Sequence, residues 1–171
     1  MLKHNSFIIP FSGLKLGQHT FEVKLTKAFF DNLDFFGITE GMGQVEIVLE
    51  KKETMLLVDF NLQAKSTAPC DRCNEPFTFL VEADLSIVYK FGEETSDDEN
   101  LIVLSPDSYE LDVYQPIYEL MVTSLPSRIL HEKENCDPEI IKWLDAKTDP
   151  PENLDNKDII DPRWSGLKNL K

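Results

Sequence analysis

Cys70 and Cys73 are two of the three cysteines in the chain, and they stand two residues apart in the stretch APCDRCNEP. Thiols at that spacing can hold neighbouring corners of a metal's coordination sphere, form a redox pair, or close a turn. Zinc takes four ligands in a tetrahedron, mostly thiolate and imidazole. The other candidates are Cys136 and the histidines at 4, 19 and 131. His131 and Cys136 lie close together in HEKENC, so Cys70, Cys73, Cys136 and His131 would make a Cys3His set. The plainer alternative is a hairpin closed by two thiols, with Cys136 standing apart. A redox pair needs a low-pKa thiol, typically at a helix N-terminus. Arg72 would favour a thiolate, but the segments on either side read as strands.

Other catalytic chemistry finds less support. The sequence has no glycine-rich phosphate loop, no GxSxG and no HExxH. Carboxylates are abundant, but abundance does not place a pair about a scissile bond. No catalytic residue, organic cofactor or small-molecule substrate is expected.

The elements that must position the cysteines are strands. Val45, Ile47 and Leu49 share one face. After KKET, Leu56, Val58, Phe60, Leu62 and Ala64 alternate with Asp59, Asn61, Gln63 and Lys65. Beyond the cysteines, Phe77 to Phe91 alternates over a length that predicts a bend or bulge. Pro69, Asp71, Asn74 and Pro76 are turn formers and place both cysteines at a hairpin tip. LIVL at 101–104 reads as a further strand. LDVYQPIYELMVTSLP then changes to helical spacing, with Asp112 as a cap, Pro116 in the first turn and Pro126 as the stop. Thr26 is placed to cap a short helix, KAFFDNL. The expected fold class is α+β: a mainly antiparallel sheet, partly barrel-like, with one main covering helix. Residues 1–130 would form this sheet-based domain. Residues 131–171 would form an irregular, partly flexible C-terminal segment, with a helical turn or two around Ile140, Ile141, Trp143 and Leu144, a linker at 147–159, and a short docking stretch at the end.

The chain of 171 residues carries a net charge of −14. Its bulk field repels nucleic acid and attracts basic partners. The strongest acidic cluster is GEETSDDEN at 92–100, read as a solvated loop or, alternatively, as a contact for a basic protein. No apolar run approaches the ~20 residues needed to span a membrane. The first residues are too weakly apolar for a secretory signal, so a cytoplasmic location is expected, where thiols stay reduced.

CDRCNEPF, the long alternating strand, YELDVYQPIYELMVTSLP, HEKENC and DPRWSGLKNLK occur in that order. Together they resemble the YceD family, whose members are described as large ribosomal RNA subunit accumulation proteins. The resemblance covers about residues 60–171. Its motif positions here are Arg72 and Pro76 beside the cysteines, then Asp161, Pro162, Arg163, Trp164, Leu167 and Lys168. The resemblance implies a non-enzymatic role in ribosome biogenesis. Some relatives carry extra cysteines near the C-terminus, whereas this chain has Cys136 alone there, so His131 would supply the fourth zinc ligand.

The expected partner is a basic ribosomal protein, an assembly factor or a pre-ribosome. Whether RNA is contacted directly stays open; the one segment suited to it is the locally basic end bearing Arg163, Lys168 and Lys171. The rival readings are a structural-zinc module with an unrelated protein partner and, behind it, a thiol oxidoreductase.

Overall fold

The structure is a computed structural model and describes residues 4–92 and 101–148. It resolves into two compact units, Met1–His131 and Glu132–Lys171. In the first unit the strands are β1 (Ile8–Pro10), β2 (Gly17–Leu25), β3 (Glu40–Lys51), β4 (Met55–Pro69), β5 (Pro76–Phe91), β6 (Leu101–Leu104) and β7 (Glu110–Asp112). Two helices accompany them, α1 (Lys27–Phe30) and α2 (Tyr114–Thr123).

Strands β2 to β6 form one sheet in sequence order. The first four pair antiparallel, and β6 adds to β5 in parallel. The sheet is open, with β2 and β6 at its edges, so it does not close into a barrel and the α+β class holds. The expected burial alternates as the pattern demands. Val45, Ile47 and Leu49 of β3 and Leu56, Val58, Phe60, Leu62 and Ala64 of β4 are buried. On β5, Val81, Ile87 and Tyr89 are buried and Phe79, Ala83, Leu85 and Phe91 pack against them half-buried.

Of the expected bend or bulge in β5, the bulge is absent. Its register with β4 runs unbroken from Met55↔Lys90 to Pro69↔Pro76. One continuous apolar face explains this, because a bulge would turn the rest of that face toward water. Close approach is built in at Gly43, opposite Ala64. A Cβ there would lie 2.6 Å from the Ala64 Cβ and 2.7 Å from the Gln63 carbonyl oxygen.

Helix α2 lays Pro116, Ile117, Leu120 and Met121 into the core against β4 and β5. Pro116 sits in the first turn, where an N–H has no intrahelical acceptor. Val113 holds the capping position, but the Asp112 carboxylate still accepts the Tyr114 N–H at 2.8 Å. Thr26 precedes α1 in extended geometry and its side chain makes no capping bond. The expected helix KAFFDNL is α-helical only over its first four residues and tightens into a 3₁₀ turn over Asp31–Phe36.

A second, two-stranded sheet pairs β1 with β7 and was not foreseen. Each strand has three residues, too few to show alternation. Lys51 helps fix this region: its ammonium donates to the carbonyls of Phe11, Ser12 and Leu14 at 2.9, 3.1 and 3.0 Å.

In the second unit, α3 (Pro138–Thr148) is longer than the turn or two expected, at 11 residues. Its start signal was present in the sequence. The Asp137 side chain accepts the Glu139 N–H at 2.8 Å, and Pro138 follows it at the first helical position, where proline is preorganised. The proposed linker at 147–159 therefore begins inside this helix, and its remainder lies outside the described residues.

Candidate metal centre

The hairpin joining β4 and β5 presents Cys70 and Cys73 at its tip. Its turn is closed by two main-chain bonds, Cys70 N–H to the Glu75 carbonyl at 2.9 Å and Asn74 N–H to the Cys70 carbonyl at 2.8 Å. Asn74 takes the left-handed conformation with φ 63°, which asparagine tolerates better than most residues. Pro69 and Pro76 face one another as the last pair of the ladder. The cysteines thus sit where a regular sheet gives way to a tight loop.

Asp71 ties that loop to the segment beyond α2. Its N–H donates to the Ile129 carbonyl at 2.8 Å, and its carboxylate accepts the Ile129 N–H at 2.7 Å. This two-way clamp brings His131 to the tip. The His131 Nε2 lies 3.4 Å from Cys73 Sγ. The Phe77 ring meets the imidazole edge-on, with centroids 5.5 Å apart at 88°. Sequence reasoning read Asp71 only as a turn former and Phe77 only as a strand residue. The aspartate inside CDRC was the available signal, since a carboxylate there can bond outward as well as back to its own turn.

Cys136 stands between a 3₁₀ turn, Lys133–Asn135, and the Asp137 cap of α3. The Sγ atoms of Cys70, Cys73 and Cys136 and a ring nitrogen of His131 all lie within 4.8 Å of one another. All four residues are buried. A tetrahedral zinc with bonds of ~2.3 Å to sulfur requires sulfur–sulfur separations of roughly 3.8 Å. The four donors therefore need only a small contraction to meet one ion. Three thiolates and an imidazole are a borderline-soft set that suits zinc better than magnesium or calcium.

The electrostatics favour a thiolate. Burial pushes the Cys70 thiol up, but N–H donors of Arg72, Cys73 and His131 and the Cys73 side chain outweigh it and bring the thiol down to about 6. The Arg72 main-chain N–H lies 3.5 Å from Cys70 Sγ. The help expected from Arg72 thus comes at least in part from its backbone. The redox reading also required a helix behind the cysteines, and the element on each side is a strand.

Of the other sequence-predicted positions, Pro76 opens β5 at an exposed site. Asp161, Pro162, Arg163, Trp164, Leu167 and Lys168 lie outside the described residues, as does the acidic cluster beyond Gly92.

A family model for the large ribosomal RNA subunit accumulation protein YceD matches residues 58–171. The chain belongs to the YceD family. The match takes in most of β4, the whole cysteine hairpin, α2 and the segment that bears His131 and Cys136. Searches of the curated proteins and of the solved structures return no match. No helix among the described residues is long and apolar enough to cross a membrane.

Proposed function

We propose that this chain is a non-enzymatic ribosome biogenesis factor that supports accumulation of large-subunit ribosomal RNA. The observation that carries this reading is the YceD family match, which spans both the cysteine hairpin and the C-terminal third. In this reading the protein works in the cytoplasm as an adaptor for a basic ribosomal protein, an assembly factor or the pre-ribosome. Charge supports the adaptor role. The net charge is −14, and on the solvent face of the sheet one cross-strand row reads Glu22, Glu46, Asn61, Asp84. Such a surface repels phosphate and draws lysine and arginine.

The Cys3His cluster serves in this reading as a structural zinc site, holding the hairpin tip to the segment bearing His131. The donor set and its spacing support that assignment. The same cluster also favours a second reading, a structural-zinc module whose partner has no connection to ribosomes.

Depleting the protein and recording ribosome profiles separates the two. The ribosomal reading expects a reduced large-subunit peak and less large-subunit ribosomal RNA, restored by the wild-type chain. A normal profile in fully depleted cells would overturn it and leave the zinc module.

A further inference from the structure

A groove lies between α2 and strands β5, β6 and β7, away from the cysteines, and encloses a volume of about 720 Å³. Its floor is apolar, with Leu85, Ile87 and Leu120 among the lining residues. Three carboxylates also line it, those of Glu110, Asp112 and Glu119. No lysine or arginine is among the described residues that line it.

Tyr89 forms part of the wall and is only 2% exposed. Its hydroxyl has no hydrogen-bond partner among the described residues, a condition that costs free energy in a buried site. Burial first, and then the charges of Asp112 and Glu119, push its ionisation well above the ordinary tyrosine range. The hydroxyl is thus a neutral group held in a negative potential. Within the fold, Asp112 accepts the Tyr114 N–H at 2.8 Å and Glu119 accepts the Gln115 side-chain amide at 2.5 Å. Both donors are neutral, and no ion pair to either carboxylate occurs among the described residues.

An apolar floor, a negative rim and an unpartnered buried hydroxyl together select a long cationic side chain with apolar neighbours. We propose that this groove receives a lysine or arginine from an amphipathic basic segment of a partner protein. The ammonium or guanidinium meets the carboxylates and offsets the negative potential that bears on Tyr89, while apolar residues of the same segment cover Leu85, Ile87 and Leu120. The volume falls within the range of roughly 300–1,000 Å³ typical of ligand sites. A nucleic-acid backbone does not fit, because its phosphates would face three carboxylates. The inference rests on the adaptor reading for its biological setting and adds the surface that does the binding.

The test uses the full chain and a fluorescein-labelled amphipathic Leu/Lys peptide, with the matching Leu/Glu peptide as control, at near-physiological salt. The wild-type chain is expected to bind the Leu/Lys peptide alone. Glu110→Gln with Glu119→Gln should weaken binding about tenfold, whereas Glu22→Gln with Glu46→Gln, an equal change of charge on the sheet's solvent face, should alter it by less than about twofold. Equal weakening by both pairs, or none by the groove pair, would overturn the proposal. Removing residues 161–171 should leave affinity unchanged. A gain of about tenfold would instead identify the chain's own basic end as the occupant and reject the external partner. Peptide binding at the groove together with a normal ribosome profile in depleted cells would reject the ribosomal reading and leave the groove standing. An altered profile with no groove effect would reject the groove alone.

Discussion

Removing the metal should cost this protein a definite amount of stability. One ion held by Cys73 and His131 would tie together points 58 residues apart in the chain. Closing a loop of that span removes entropy from the unfolded ensemble, and the loop-closure relation gives about 4 kcal/mol at room temperature. A chain of this size moves its melting midpoint by ~2–4 °C per kcal/mol. The expected fall on demetallation is therefore about 8–16 °C. The assay is thermal denaturation under reducing conditions, before and after chelation, with zinc counted by elemental mass spectrometry on the same samples. Purified protein should carry about one zinc per chain. Cys73→Ser should lose the zinc and melt near the chelated wild type. A zinc-loaded protein whose midpoint ignores chelation would refute the cross-link argument. So would a Cys73→Ser chain that keeps its metal, or wild type that purifies folded and metal-free.

In the chelated protein the depressed Cys70 pKa makes that residue a thiolate at neutral pH, visible as absorbance near 240 nm that Cys70→Ser removes. Because the folded value is lowered from 9.0 to about 6, the associated stability is full above pH 9 and is lost as pH falls through about 6. Gly43→Ala forces a Cβ to within 2.6 Å of Ala64. It should destabilise the fold by about 1–3 kcal/mol, read as a lower denaturant midpoint; an unchanged midpoint would contradict the close packing of β3 on β4. Tyr89→Phe removes an orphan hydroxyl and should stabilise the free protein by about 1 kcal/mol. The raised Tyr89 pKa keeps its contribution intact below the ordinary value of 10.0. Wild type should therefore lose stability as pH climbs past that value, and Tyr89→Phe should lose less.

Much of the sheet was legible because its chemistry repeats. Leu56 to Ala64 and Phe77 to Phe91 alternate so regularly that a two-residue period leaves one reading. The turn formers around Cys70 and Cys73 placed the hairpin tip, and the pairing of His131 with Cys136 was suggested by their nearness in sequence. What was hidden is non-local. Three-residue strands such as Ile8–Pro10 have no period, and they exist because a distant partner supplies their hydrogen bonds. Asp71 looked like any turn aspartate until Ile129 came within reach of both its polar groups. Tyr89 read as one more apolar position on a strand. Its interest arises only when Asp112 and Glu119, distant in sequence, come near its hydroxyl.

The order in which the ribosome delivers the four donors has its own consequence. Cys70 and Cys73 leave the exit tunnel with a hairpin whose contacts are local, and such hairpins form in roughly 1–10 μs. The imidazole of His131 is made 58 residues after Cys73. At roughly 5–20 residues per second, that delay is about 3–12 s. During the wait a thiol pair is open to borrowed ligands and exchangeable metal. A chain that stops between Phe91 and Cys136 keeps the hairpin but never completes the centre. Closure of the site would therefore mark synthesis past Cys136, and products truncated before that residue should be distinguishable by weak, readily exchanged zinc.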